Sequence, residues 1–474
     1  MFKKNLEYIL IIFILLIGFA VRLYKINNPI ADWHSWRQAD TASVSKIYIQ
    51  QGIDILHPRY HDISSIQTGI FNPEGNRFVE LPIYNIVHAV LAKNLPAFGL
   101  EVWGRLVSII SAVVSAFFLY LIGKRILGKW GGVLSAFFYL FIPFNIYFTR
   151  VILPEPMAVA FAMVSIWLFI KFIDEDKIWY LYLSGIILSL AMLIKPFFGF
   201  YLIPLIYLAI KKFGFKFKFK FLFFLGLVLL PLLLWRFWVN KFPEGIPFFT
   251  WAFNGDHIRF RPAFWYWIFG ERLGRLILGS MGLIPFAFGV LYTKGKNLFI
   301  HFFLLGMFMY VTTIATASVR HDYYQILTIP AIALALASGT VYLWNIKEFN
   351  KIGTRIFTIF CIMIMIITGF SQIKENYKVN HPEIIEAGKE IDKIASKDAL
   401  VVAPYNGDTA FLYQTNRWGW PAIDDSIDNI IEKGADYYVS VDLGSLDTKN
   451  FEKLFQTVKK TPTYIILDLH KKLK

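Results

Sequence analysis

Lys3-Lys-Asn-Leu6-Glu-Tyr-Ile-Leu-Ile-Ile-Phe-Ile-Leu-Leu-Ile-Gly-Phe-Ala-Val-Arg-Leu23 decides the fold class. From Leu6 to Leu23 it approaches the roughly 20 mostly apolar residues that cross a hydrocarbon core. A signal peptide would carry a shorter apolar region with a small-residue cleavage site after it. Arg22-Leu-Tyr-Lys25 offers no such site. The run therefore reads as an uncleaved first span, entering from the cytoplasm behind Lys3 and Lys4.

Ten further apolar runs lie near 103–123, 130–149, 155–173, 178–194, 196–210, 221–239, 273–293, 298–317, 324–344 and 355–373. The chain of 474 residues is 56% hydrophobic, 18% aromatic and 17% charged. Its mean hydropathy is +0.51. Soluble proteins carry about 25% charged residues, so a set of soluble globular domains is excluded. The single cysteine, Cys361, excludes an intramolecular disulfide and zinc-type cysteine clusters.

Leu81 to Gly99 contains Asn85, His88, Lys93, Asn94 and Pro96 and is too polar for an easy span. It reads as an interfacial or re-entrant helix inside the first loop. Eleven spans then alternate as the positive-inside rule requires. The inside receives Lys124, Arg125 and Lys129; then Lys171 and Lys177; then Lys211, Lys212, Lys216, Lys218 and Lys220. Lys294 and Lys296 follow, and then Lys347, Lys351 and Arg355. Counting 81–99 as a span would put most of these clusters outside. Phe215-Lys-Phe-Lys-Phe-Lys-Phe221 alternates like a strand, but an interfacial loop with snorkelling lysines suits its place better.

The net charge of +15 is uneven: residues 374–474 hold 14 Lys and Arg against 16 Asp and Glu, while residues 1–373 hold 34 against 17. The basic excess thus sits with the inside loops and does not argue for nucleic acid. This break divides the chain into a transmembrane domain, 1–373, and a soluble domain, 374–474. An odd number of spans leaves the N-terminus cytoplasmic and the tail on the outer side of a multi-pass cell-membrane protein. In the tail, Ile384–Ala395 and Ile427–Lys433 read as helices. Leu400–Ala403, Tyr437–Val441 and Tyr464–Leu467 read as strands, which together make a small α/β domain. Asn406-Gly-Asp408 reads as a turn signal.

Ionisable groups near a membrane are costly and usually functional, and here they gather at the expected outer ends of the spans. The first outer loop carries Asp32-Trp-His-Ser-Trp-Arg-Gln-Ala-Asp40. Asp32 and His34 fall in the loop, while Arg37 and Asp40 lie three apart on one helix face. Locally, Asp32 suits a turn, and Asp40 suits a helix start paired with Arg37. Glu80, before Leu81-Pro82, suits a helix start or a site shared with Asp32. Arg150 and Glu155 flank another outer turn, and Glu155-Pro156 also looks like an ordinary helix start. Lys195-Pro196 places a lysine where the positive-inside rule does not expect one, so anion binding suits it better than topology. Arg320-His321-Asp-Tyr-Tyr324 suits phosphate recognition, because guanidinium binds phosphate through paired donors. The loop 240–272 adds Asp256, His257, Arg259 and Arg261 among aromatic residues, which suits a lipid headgroup or plain interfacial anchoring.

This chemistry matches a lipid-phosphate-linked sugar. Its phosphate is a good leaving group whose developing charge cations or a metal can stabilise. One carboxylate then deprotonates the acceptor hydroxyl for in-line, inverting attack.

Asp32-Trp-His-Ser-Trp-Arg-Gln-Ala-Asp40, Glu80-Leu-Pro-Ile-Tyr84, Arg150 with Glu155, Lys195-Pro196 and Arg320-His-Asp-Tyr-Tyr324 together resemble the GT-C superfamily of polyprenyl-phosphate-sugar-dependent glycosyltransferases. The likeness is to the branch of protein mannosyltransferases and aminoarabinose lipid A transferases, and it spans about residues 5–373. It implies about eleven transmembrane helices with an appended α/β domain. The donor would be a dolichyl- or undecaprenyl-phosphate sugar, and the acceptor a glycan, lipid or protein. It implies a first-loop acid as base, carried onto Asp32 with Asp40 and Glu80 as the alternatives. It also implies a second outer acid, Glu155, that helps bind phosphate or a divalent cation (Mg, Mn or Zn). His34, Arg37, Glu80, Arg150, Lys195, Arg259, Arg320, His321 and Tyr324 are then expected to bind donor or substrate. Many relatives have an Asp-Glu pair just before the arginine of this helix; here His34-Ser35 stand there. A flippase for polyprenyl-linked glycans and another lipid-headgroup transferase are the rival readings.

Overall fold

The computed structural model describes residues 2–215, 219–292 and 298–473. Lys216, Lys218, Lys294 and Lys296 of the expected inside clusters, and Phe217 at the centre of the Phe215–Phe221 alternation, lie outside the described residues. The chain divides into two compact units. One comprises Met1–Ile26, Arg105–Trp235 and Phe249–Glu375; the other comprises Asn27–Gly104, Arg236–Phe248 and Asn376–Lys474.

Six helical stretches among the described residues are long and apolar enough to cross a membrane: Leu100–Leu127, Glu155–Glu175, Pro196–Phe213, Phe219–Val239, Asp322–Asn345 and Lys351–Tyr377. Three shorter apolar helices, Leu6–Val21, Ile178–Ile194 and Phe299–Thr313, accompany them. These nine answer nine of the eleven apolar runs. The other two runs are helical but broken. Near 130–149 the helix Lys129–Phe141 stops at Ile142, which is extended at φ −60°, ψ 118°, before Pro143–Phe148 resumes. The residue before a proline is pushed out of the helical region. Near 273–293, Gly279 and Ser280 take positive φ between the π-helix ending at Ile277 and the helix Leu283–Leu291.

Polar braces hold the helical unit. Arg22 is fully buried at the end of the first span. Its guanidinium donates to the Thr149 hydroxyl at 2.8 Å and to the Gly18 and Leu140 carbonyls at 2.7 and 3.0 Å. A charge so deep needs such partners. Leu283–Leu291 and Ile329–Asn345 meet backbone to backbone: a Cβ on Gly289 would strike the Ala335 carbonyl, and one on Gly339 the Pro285 carbonyl. Small residues permit this approach between membrane helices.

The second unit contains a five-stranded sheet in the order β2-β1-β3-β5-β4. Its strands are β1 (Leu400–Val402), β2 (Gly419–Trp420), β3 (Ala435–Ser440), β4 (Phe455–Lys460) and β5 (Ile465–Lys472). β1 runs parallel to β2 and β3, with Val401 opposite Gly419 and Tyr437. β5 is antiparallel to β3 and β4. The expected strands and helices of the tail are present. β2, β4 and the helices Thr409–Gln414 and Leu446–Leu454 were not legible.

The first loop completes this unit. Ile63 donates its N–H to the Gly419 carbonyl, and Gly419 donates to the His61 carbonyl, both at 3.0 Å. Ile63 is buried with Val402, Trp420, Tyr438, Ile465 and Leu467 in one core. The polar segment 81–99 forms the helix Ile83–Asn94. It packs on the helix Ser35–Gln51 through Ala89 against Val44 and Tyr48, and Asn85 donates to the Thr41 carbonyl at 2.7 Å.

Candidate functional site

In the loop-and-tail unit the site begins at the turn Asp32-Trp-His34. His34 adopts a left-handed conformation, φ 57°, ψ 38°, immediately before the helix Ser35–Gln51. The turn folds back because Gln38, one turn into that helix, donates its amide to Asp32 Oδ1 at 2.6 Å and to the Trp33 carbonyl at 3.3 Å. The Trp33 N–H donates to the Asn376 carbonyl at 3.1 Å. Asp32 is 4% exposed, yet its side chain lines a cavity of about 300 Å³ with Trp33, His34, Trp36, Tyr405 and Asp408.

The other first-loop groups are arranged differently. Arg37 does not pair with Asp40, as its spacing suggested. It donates to both Glu80 oxygens at 3.0 Å, so Glu80 braces the helix Ser35–Gln51 and does not line the Asp32 cavity. Asp40 lies in the second turn of that helix and is 1% exposed. It pairs with Arg77 and accepts from the Thr409 hydroxyl at 2.6 Å. A buried charge needs such a partner.

Asp408, dismissed in the sequence as part of a turn, caps the helix Thr409–Gln414 by accepting from the Ala410 N–H at 2.7 Å. Burial, with Asp40 nearby, pushes its carboxyl up to about 6. The legible signal was the helix cap in Asp408-Thr-Ala. Asp62, whose Oδ1 accepts from the Ser64 N–H at 2.8 Å, is likewise pushed up to about 6 by burial.

In the helical unit, Glu155 starts the helix Glu155–Glu175, fully buried, and pairs with Lys195 at the end of Ile178–Ile194. The Lys195 ammonium lies 4.5 Å from the Tyr324 ring centre and 5.2 Å from that of Tyr323. The His321 ring lies 5.7 Å from Tyr323, 6.1 Å from Tyr324 and 5.5 Å from Trp251. The structure thus gathers Glu155, Lys195, His321 and Tyr324, and brings to them Trp251 of the aromatic loop 240–272 and the pair of Arg272 with Asp322 of the Arg320–Tyr324 motif. Arg320 reaches Asp256 at 3.7 Å with 57% of its side chain exposed. Arg259 donates to the Thr313 carbonyl at 3.2 Å. Arg150 is fully buried and donates to the Lys25 carbonyl, which makes it a brace of the first span's end.

The donors at Glu155 do not fit a divalent cation. Lys195 already supplies positive charge to that carboxylate, and among the described residues no three of His, Cys, Asp and Glu converge.

Residues 95–238 match the sequence profile of the dolichyl-phosphate-mannose-protein mannosyltransferase family. No curated protein matches the chain in sequence. Among solved structures, ArnT from Cupriavidus metallidurans bound to undecaprenyl phosphate is 11% identical, with a TM-score of 0.65 over 98% of each chain. The same protein in its apo state gives 10% and 0.67 over the same coverage. The Archaeoglobus fulgidus oligosaccharyltransferase in complex with zinc and sulfate is 12% identical, with a TM-score of 0.56 over 95% of this chain and 72% of that one. At such identities the likeness is one of fold.

Proposed function

From the GT-C fold it shares with these proteins, we propose that the chain is an integral membrane glycosyltransferase that moves a sugar from a polyprenyl phosphate to an acceptor on the outer side. The observation that carries this reading is Asp32: a carboxylate braced by Gln38 and opening on a cavity in the first loop. Asp32 takes the proton of an acceptor hydroxyl. The hydroxyl oxygen bonds to the anomeric carbon, the bond from that carbon to the phosphate oxygen breaks, and the polyprenyl phosphate leaves with the electron pair. The anomeric carbon inverts. Within the helical unit, Arg320 is the exposed guanidinium suited to a phosphate. The ArnT structure holds undecaprenyl phosphate, which supports a donor of that class.

The test is to incubate the purified protein with a panel of polyprenyl-phosphate sugars and follow release of the lipid phosphate. Release from at least one donor is expected; none from any donor overturns the reading. In this proposal the N-terminus is cytoplasmic and the tail external, so a reporter fused after Lys374 reads as external. A cytoplasmic signal overturns that orientation.

A further inference from the structure

We propose that the cavity beside Asp32 is the acceptor subsite and that it takes a sugar ring without negative charge, so that the acceptor is a glycan. This rests on the glycosyltransferase reading and adds the substrate class to it.

Two carboxylates from distant parts of the chain line this cavity of about 300 Å³, Asp32 from the first loop and Asp408 from the tail. Among the described residues its lining contains no lysine or arginine. A phosphorylated headgroup would meet two carboxylates, with only the imidazoles of His34 and His381 to set against them, an arrangement that disfavours it. Carboxylates are acceptors, and sugar hydroxyls are donors that fit them. Trp33, Trp36 and Tyr405 supply flat apolar faces for the C–H surface of a ring. Trp33 is suited to this: its backbone is fixed by Gln38 and Asn376, while 46% of the residue remains exposed. The volume is at the lower end for small-ligand sites. Among the described residues no strand contributes to the lining, so the subsite offers no edge on which an extended peptide would pair.

Both carboxylates stand on braced backbone. Tyr405 donates its N–H to the Pro421 carbonyl at 2.8 Å, and Asp408 donates to the Tyr405 carbonyl at 2.9 Å. Thr409 fastens the same turn to Asp40. Asp32 is the base, and Asp408 orients the ring.

The experiment uses the purified full chain and a polyprenyl-phosphate sugar that it consumes. Three kinds of acceptor are compared: methyl hexosides, hexose 6-phosphates and a peptide containing Ser and Thr. Methyl hexosides are expected to accelerate release of lipid phosphate at least tenfold more than either alternative. Asp408→Asn and Trp33→Ala should each raise the methyl hexoside KM at least tenfold, and donor KM less than threefold. Asparagine is itself a good helix cap, so Asp408→Asn keeps the turn. Saturation-transfer NMR should detect methyl hexoside bound to the wild type and lose it in Trp33→Ala. Equal or better use of the phosphate or the peptide overturns the inference, as does a wild-type acceptor KM in Asp408→Asn. These outcomes require donor turnover and are distinct from its absence, which overturns the glycosyltransferase reading itself.

Discussion

In the loop-and-tail unit Arg37 closes on Glu80 and Arg77 on Asp40, each pair almost out of solvent. In the helical unit Arg320 stands with 57% of its side chain exposed, 3.7 Å from an Asp256 that is 73% exposed. An exposed pair of that kind contributes about 0–1 kcal/mol. Losing one partner of a buried pair costs about 3–5 kcal/mol. The same residue types therefore divide into braces and working groups by what they touch. Each unit holds both kinds: the helical unit has the buried Glu155–Lys195 and the exposed Arg320, and the loop-and-tail unit has the buried Asp40–Arg77 and the cavity-lining Asp32.

The sharpest way to break this division is to make the same substitution at Asp32 and Asp40. Asp32→Asn should leave a folded protein whose transfer rate falls by about 10²–10⁴. Asp40→Asn strands the Arg77 guanidinium and should lower stability by about 3–5 kcal/mol, read as a drop in unfolding temperature in detergent. A stable, fully active Asp32→Asn protein removes Asp32 as the base. A stable but inactive Asp40→Asn protein reverses the two roles.

The next largest effect separates Arg320 from Lys195. Arg320→Ala should raise donor KM by about tenfold, as expected for one charge-assisted hydrogen bond of about 1.5–3 kcal/mol, with little change in unfolding temperature. Lys195→Ala leaves Glu155 buried without its ammonium and should lower the unfolding temperature clearly. Equal donor KM in the Arg320 variant and the wild type defeats the phosphate role.

A smaller effect is set by pH. Burial raises Asp408 to about 6, so it takes up a proton as pH falls through that value and becomes a weaker acceptor for hydroxyl donors. Acceptor KM should therefore rise between pH 7.5 and pH 5, and this rise should flatten in Asp408→Asn. Superimposable profiles would count against Asp408.

The smallest effect concerns Asp62, which is 1% exposed and faces Tyr60, Ser64, Asp40 and Arg77. Its carboxyl is raised to about 6, above its unfolded value, so the stability it contributes is full below the ordinary carboxylate range and lost as pH rises through 6. Asp62→Asn should then raise the unfolding temperature at pH 7.5 and leave it unchanged at pH 4. A fall at pH 7.5 would show that the charged form is stabilised.

The helices were legible because apolar length is a local property: Leu6–Leu23, Glu155–Glu175 and the polar-faced Ile83–Asn94 all announce themselves over about 20 residues or fewer. The breaks at Ile142 and Gly279 were marked in sequence by Pro143 and by Gly279-Ser280, yet apolar runs continue across them. Lys195 stood out because it defied the positive-inside rule. The ion pairs were not legible. Spacing alone favoured Arg37 with Asp40, whereas the structure joins Arg37 to Glu80 and Asp40 to Arg77, 43 and 37 residues away. Asp408 was missed for the same reason: its local role as a cap is visible, but its place on the Asp32 cavity depends on a chain segment more than 370 residues earlier.

The core around Ile63 has a temporal consequence. Ile63 is made first, while Val402, Trp420 and Leu467, which enclose it, follow more than 330 residues later. Roughly 270 residues separate the end of the first loop from the start of the tail. At about 5–20 residues per second the ribosome needs on the order of 10–50 s to supply them. Throughout that interval the loop's apolar face lacks its partners, so its final shape is reached only once the tail has been made. A premature stop anywhere before β1 would leave Ile63 in an unfinished half-core, however well the helices had inserted.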